Sequence, residues 1–412
     1  MDRVIFHCDL NAFYASVELL EYPELREQPV AVCGDPTSRR GIILAKNEPA
    51  KQRGVKTAQT IWQAQRACPE LVLLPAHHDK YRQYSKLAND IYQRYTDLVE
   101  PFGVDESWLD MTGSLHLFGG NAVRTADEIR TVMKAELGLS LSIGVSFNKV
   151  FSKLGSDYKK PDATTVITRD NYRTLVWPLP VSDLLFVGAA TARLLEGHGI
   201  RTIGELAACP EEVLEALLGK HGVQLHRYAT GEEHSPVRPA VRGSSPKSVG
   251  NGITFQKDLE GWEELWAGVA MLSDRVGERL RRQGLTCLAL QVTVRDPQFR
   301  DKSRQKRLDY PTNLSREILG TVMELIGALW QGRGPVRAIN VTALSLLPEG
   351  ESGEQMDLFA SERSGKHARQ ARLEQTVDRL RGKYGRGAIR FGGMPEPGAL
   401  REKQNGTEEE DV

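Results

Sequence analysis

Between residues 3 and 168, short apolar runs alternate with stretches of helical periodicity, and this alternation constrains the fold more than any other feature of the chain. RVIFHC (3–8), PVAVC (29–33), GIILA (41–45), LSIGV (141–145) and TTVIT (164–168) are too short for ordinary helices, which reads as buried strand. VEPFGV (99–104) and SWLDM (107–111) read as two further strands about a tight turn. Helices are expected from about Ala12 to Leu20, over 78–98, from about Ala126 to Leu137 and over 148–158; Tyr81, Tyr84, Leu87, Ala88, Ile91, Tyr95 and Leu98 fall at steps of three and four. Residues 172–236 turn to short, Gly-punctuated helices. PVRPAVRGSSP (236–246) has linker composition. Beyond it, strands at 247–257 and 286–296 flank a helix at 260–283. A strand near 305–310, a helix at 313–331 and a strand at 336–346 complete a β-α-β-β-α-β order, with both helices expected on one face of a small sheet. From Pro348 the chain is polar; a helix is expected over 366–383, and the end, a Glu-rich run from Glu408 to Asp411, has the composition of disorder.

The 412 residues suffice for two to four domains, and 40% hydrophobic with 26% charged residues is ordinary for a globular chain. No apolar stretch approaches the ~18 residues that a membrane-spanning helix needs, so no membrane partner is expected. The start lacks a basic, then apolar, leader pattern. Cys8, Cys33, Cys68, Cys209 and Cys287 are scattered and form no CxxC pair, which argues against a disulfide framework or a structural zinc site and makes the cytoplasm the expected compartment. Lys+Arg and Asp+Glu both number 54, but residues 237–348 hold 17 basic and 11 acidic side chains. A neutral chain with one basic module can still bind a polyanion.

Carboxylates gather at the ends of two expected strands: Asp9 after VIFHC, and Asp105 with Glu106 in FGVDESWLDM. Carboxylates converging from one sheet edge suit Mg²⁺, a hard cation that completes its shell with phosphate and water. Strand ends also carry acids simply because they meet solvent. His7 and Cys8 alternate across the strand, so neither is expected to share a metal with Asp9. KNEPAKQRGVK (46–56) and YKKP (158–161) offer Lys46, Lys51, Arg53, Lys56, Lys159 and Lys160 to phosphates, or are solvated surface. LFVGAATARLLEGHGI (185–200) reads as a helix-hairpin-helix whose glycine amides bind phosphate without regard to sequence, with Gly188 retained and Phe186 in place of the first glycine. FRDKSRQKR (299–307) reads as a basic loop, with Arg300, Lys302, Arg304, Lys306 and Arg307 forming one phosphate-tracking ridge. In the tail, Met356, Leu358 and Phe359 are an apolar island of the kind that docks in a partner's groove.

CDLNAFYASVE (8–18), GVDESWLD (103–110) and GVSFNKVFSKLGSDYKKPDA (144–163), in this order, resemble the catalytic core of the Y-family DNA polymerases, the translesion group to which UmuC-like proteins belong. The resemblance implies an α+β multidomain right hand: palm at 1–12 and 78–167, small fingers at 13–77, a helix-hairpin-helix thumb at 168–236, a linker at 237–246, a βαββαβ little finger at 247–348 and a flexible tail at 349–412. It implies a DNA-templated DNA polymerase for low-fidelity lesion bypass, with two Mg²⁺ ions held by Asp9, Asp105, Glu106 and the Leu10 carbonyl. Phe13 would lie near the incoming sugar and Tyr14 at the steric gate against a ribose 2′-OH. Lys160 would contact the triphosphate of the dNTP. The family's fingers present a Tyr and an Arg to the triphosphate; Glu48 and Lys51 stand there, and Lys51 keeps the charge without the forked donor. Asn11 stands where many members have an acid. QMDLF (355–359) is similar to the peptide that binds the bacterial sliding clamp, through Gln355, Met356, Leu358 and Phe359. The implied partners are primer–template DNA, dNTP, that clamp and, as for some UmuC-like members, an accessory subunit. Two other classes use parts of the pattern: a clamp-recruited DNA-binding scaffold, which has no need of three intact acids, and a palm-type nucleotide cyclase, which has no need of a thumb.

Overall fold

In the computed structural model, residues 2–35, 41–239, 246–332, 334–350 and 361–389 are described, and the chain divides after Arg242 into two compact units. The first unit runs β1 (Ile5–Leu10), α1 (Phe13–Glu18), β2 (Val30–Cys33), β3 (Ile43–Lys46), α2 (Glu48–Gln52), α3 (Ile61–Ala67), β4 (Val72–Pro75), α4 (His78–Tyr92), β5 (Val99–Pro101), β6 (Glu106–Asp110), α5 (Ala122–Leu137), β7 (Leu141–Ser146), α6 (Lys149–Tyr158) and β8 (Thr164–Ile167). Five short helices follow: α7 (Tyr172–Leu175), α8 (Ala189–Gly197), α9 (Ile203–Ala208), α10 (Glu211–Leu218) and α11 (Lys220–Thr230).

The main sheet has the order β5-β6-β1-β7-β8, antiparallel except between β7 and β8. β1 lies at its centre and is buried throughout. Side chains alternate across a strand. Phe6, Cys8 and Leu10 therefore enter a core with Tyr81, Ala88 and Ile91 of α4 and Ile129 and Met133 of α5, while His7 and Asp9 face α6. That helix lies close on the sheet because Gly144 has no side chain: a Cβ there would come within 1.8 Å of the Ser152 carbonyl. A smaller sheet, β3-β2-β4, closes over Ala31, Ile43, Val55 and Ala64. The short helices share a separate core that includes Leu195, Ile203, Leu206, Leu214 and Leu225. The helix expected over 78–98 stops at Tyr92; Thr96 instead bonds the Asp110 carbonyl at 2.8 Å and turns the chain into β5.

The second unit runs β9 (Ser248–Leu259), α12 (Gly261–Arg282), β10 (Leu285–Arg295), β11 (Asp301–Thr312), α13 (Ser315–Trp330), β12 (Val336–Pro348) and α14 (Ser361–Tyr384). Its sheet is antiparallel with the order β11-β10-β12-β9. Leu290, Val292, Ile339 and Val341 pack against Leu272, Val276 and Leu280 of α12 and Ile318, Val322 and Ile326 of α13, so both helices cover one face.

The helix expected over 366–383 is present as α14, longer at its start, and the flexible tail expected at 349–412 is corrected for 361–389, which pack on the second unit. α14 docks on α12 through charge. Arg281 pairs with Glu374 at 2.5 Å and with Asp378 at 2.6 Å, and its Nη1 also donates to the Asn313 carbonyl at 2.7 Å. Arg381 meets Asp274 at 2.9 Å, and Arg386, in the turn after α14, meets Glu278 at 2.6 Å. Composition misses this because each charged residue looks solvated until its counter-charge, some hundred residues away, is placed beside it. No described helix is long and apolar enough to cross a membrane.

Candidate active site

Register brings the acids together. Asp9 of β1 stands directly opposite Glu106 of β6, and cross-strand partners project to the same face. Asp105 precedes Glu106, and its carbonyl accepts from the Leu10 N–H at 3.0 Å. All three acids line a cleft of about 420 Å³ together with Leu10, Phe13, Tyr14, Lys153 and Lys160 and with Leu44, Ala45, Lys46 and Thr57.

The charge balance is tight. Lys153 of α6 reaches Asp9 and Glu106, each at 2.8 Å, and Asp157 at 3.3 Å. Lys160 lies 2.7 Å from Asp9 and 2.8 Å from Asp157. Burial, aided by the charges of Asp9 and Glu106, pushes the Asp105 carboxyl up to about 6. Burial would raise Glu106 too, but contact with His7 and the Lys153 ammonium outweigh it and hold that carboxyl at about 2. Burial also opposes charge on Lys153, yet Asp9, Asp157 and Glu106 together raise it above the usual lysine range.

His7 corrects an expectation. Two residues from Asp9, it shares that face of β1, and its ring nitrogen lies 3.2 Å from Glu106. His7, Asp9 and Glu106 offer ligand atoms within 4.8 Å of one another. Only Cys8 points away. Burial lowers the His7 pKa, favouring the neutral ring.

Ala12, in left-handed backbone with φ 48°, starts α1 and delivers the two aromatics after it. Phe13 is buried in the core under the main sheet. Tyr14 stacks on Tyr81 of α4, with centroids 3.9 Å apart and planes at 12°, and takes the edge of His78 at 5.8 Å. Tyr81 is itself held: its hydroxyl donates to the buried Glu18 carboxylate at 2.6 Å. Sequence reading saw Tyr81 only as a helix-face residue, and it missed Lys153 and Thr57 as parts of the site. Lys153 and its i+4 partner Asp157 were the available signal.

Other expected contacts are not gathered here. Lys51 is exposed, pairs with Glu48 at 3.3 Å and does not line the cleft. Gly188 caps α8 with open space around it, and Phe186 takes φ 69° in the preceding turn with 53% of its surface exposed. The basic loop is mostly strand: only Arg300 precedes β11, and it pairs with Asp296. Lys302, Arg304 and Lys306 stand opposite Val294, Val292 and Leu290, which face the helices, and Lys306 reaches Glu324 of α13 at 2.7 Å. Arg307, opposite Ala289, takes the other face. The five cations therefore do not form one ridge. Gln355, Met356, Leu358 and Phe359 lie outside the described residues.

Residues 8–157 match the impB/mucB/samB family, and residues 246–358 match that family's C-terminal domain. DNA polymerase IV of Acetivibrio thermocellus is 44% identical over 392 residues, covering 95% of this chain and 97% of that protein. DNA polymerase IV 1 of Bacillus subtilis is 39% identical over 390 residues, covering 95% and 92%. Among solved structures, a Y-family DNA polymerase chimera aligns with a TM-score of 0.73 at 21% identity, over 84% of this chain and 99% of that one. Fold and sequence together define a DNA-directed DNA polymerase. The chain belongs to the impB/mucB/samB family, the Y-family DNA polymerases.

Proposed function

We propose that this chain performs low-fidelity translesion synthesis, adding dNTPs to a primer 3′-OH with release of pyrophosphate. The observation that carries the mechanism is the pairing of Asp9 with Glu106 across β1 and β6, with Asp105 beside them in one cleft. With the His7 ring engaged by Glu106, the carboxylates of Asp9, Asp105 and Glu106 form an all-oxygen donor set, and this set, with Asp105 pushed up to about 6 by burial and like charge, fits Mg²⁺. Asp9, Asp105, Glu106 and the Leu10 carbonyl would hold two ions. Metal held by these groups would supply Lewis-acid chemistry, favouring ionisation of the primer hydroxyl and offsetting charge on the attacking and leaving oxygens.

The protein's own groups do the rest. Lys153 holds Asp9 and Glu106 together by neutralising them. Lys160, at the mouth of the acids, meets phosphate oxygens. Phe13 packs below the sugar, and the Tyr14 ring, braced by Tyr81, fills the space a 2′-OH would need. On this reading the main sheet with α4–α6 is the palm, β2–β4 with α2 and α3 the fingers, α7–α11 the thumb and β9–β12 with α12 and α13 the little finger. α2 and α3 span only 5 and 7 residues. Such fingers close loosely over a nascent pair, and an open pocket cannot strongly penalise misfit. Thumb amides near Gly188 contact the DNA backbone, cations on one face or the other of β11 add separate phosphate contacts rather than a continuous track, residues 355–359 dock on the bacterial sliding clamp, and the enzyme works in the cytoplasm.

Primer extension with Mg²⁺ on undamaged and lesion-bearing templates tests the reading, with DNA affinity followed by fluorescence anisotropy. Asp105→Ala should abolish nucleotide addition, by at least ~10³-fold, and leave primer–template Kd within a few fold. Near wild-type extension by that variant would remove Asp105 from the metal set.

A further inference from the structure

The cations of the cleft are not equivalent. Lys153 and Lys160 are already matched by the carboxylates of Asp9, Glu106 and Asp157. Lys46 ends β3 of the smaller sheet and lines the same cleft. It is partly buried, its Nζ donates to Thr57 Oγ1 at 3.1 Å, and no carboxylate pairs with it among the described residues. The adjacent Glu48 and Lys51 satisfy each other on the surface, outside the cleft lining. A cation drawn partly out of water without a counter-ion is unfavourable, and an anion entering the cleft relieves it.

The geometry limits which anion that is. In the nucleotide reading, on which this inference rests, the reacting phosphorus lies at the acids and the sugar lies at Tyr14. The two outer phosphates carry more charge than Lys160, shared with Asp9 and Asp157, can balance, and call for a second cation without a carboxylate partner. We propose that Lys46, oriented by Thr57, grips the terminal phosphates of the incoming nucleoside triphosphate and the pyrophosphate they become. Lys46 thereby takes over the finger contact that Glu48 and Lys51 do not make. An ammonium donating to a phosphate oxygen forms a charge-assisted bond, of the stronger kind.

The experiment is single-turnover incorporation by the full chain on a primer–template, with inorganic pyrophosphate as inhibitor and a thermal melt for each variant. Lys46→Ala should raise the apparent Kd for dNTP by ~10- to 100-fold. Its maximal rate should fall only a few fold, with DNA affinity and melting temperature unchanged. The pyrophosphate inhibition constant should weaken in parallel, a readout that mere support of β3 would not move. Lys46→Arg should restore most of both constants, and Thr57→Val should give a smaller effect in the same direction. An unchanged dNTP Kd in Lys46→Ala, a larger rise in Lys51→Ala, or unaltered inhibition by pyrophosphate would each overturn the proposal. If the wild-type chain fails to extend primers at all, the nucleotide reading itself has failed; normal extension with an indifferent Lys46 variant removes this inference alone.

Discussion

At the scale of single residues, Asp105 opposes the fold that holds it. Its carboxyl sits at about 6 against an ordinary 3.8, chiefly through burial and then through Asp9 and Glu106. A raised acid means that the native state prefers the proton. Below about 3.8 both folded and unfolded chains keep it and there is no penalty; as pH rises the unfolded chain loses it first, so the penalty grows and is complete above about 6. Glu106 runs the other way, stabilising above about 4.5 and losing that contribution as pH falls toward 2. Without metal, Asp105→Asn should therefore raise the melting temperature at pH 7.5 by several degrees, for a penalty on the order of 1–2 kcal/mol after allowing for partial exposure. The gain should shrink by pH 4.5, and a gain equal at both pH values would mean that Asp105 is not the group responsible. The acids themselves were legible, since strand-end carboxylates in two separated motifs point to one sheet edge. Lys153 and Tyr81 were not, because their direction is set by how α6 and α4 lie across other elements; Lys46 stood out only as one of several candidate cations, and its place in the cleft came from the fold.

At the scale of elements, the turn before α8 and the edge strand β11 show what local pattern carries and what it lacks. Phe186 stands where a hairpin glycine is usual, and the backbone adopts the left-handed turn regardless, at φ 69°. A residue with a Cβ pays roughly 1–2 kcal/mol there. Glycine would regain this less its own loss of freedom of about 0.5–1 kcal/mol. The contact of Phe186 with Tyr228, at 6.1 Å and largely exposed, adds little. Phe186→Gly should thus stabilise the helical part by about 0.5 kcal/mol or more, read by urea denaturation. Marked destabilisation would show that the Phe186 ring, rather than the turn, holds α8 against α11. For β11 the sequence disclosed the cations but not their division between two faces. Residues 299–307 lack the apolar alternation that marks a half-buried strand, because this edge strand is exposed along its basic length. Lys and Arg along such an edge also discourage pairing with another chain.

At the scale of the whole chain, each unit carries its own apolar interior. The core of the second unit draws only on residues between Val249 and Ala343. Residues 246–389 alone should therefore fold cooperatively, with a single thermal transition and dispersed amide resonances; a collapsed or aggregated product would mean that this core needs the first unit. The β-α-β-β-α-β order was readable because each strand and helix there is long and strongly periodic. Within the first unit the change to short, Gly-punctuated helices over 172–236 was readable, but not the shared core around Leu206 and Leu225 that joins α7–α11.

The seam between α12 and α14 has a consequence of its own. Arg281 and Glu374 are almost fully enclosed there, with Arg381 and Asp274 close behind. Enclosed ion pairs surrender much of their attraction to the loss of hydration, so they fix alignment more than they add strength. Water accepts both halves of such a seam once it opens. A helix attached by oily contacts leaves an adhesive scar when it departs; α14 would leave a wettable one. Its release would therefore be reversible and would not invite clumping, because the core of the second unit is built without it.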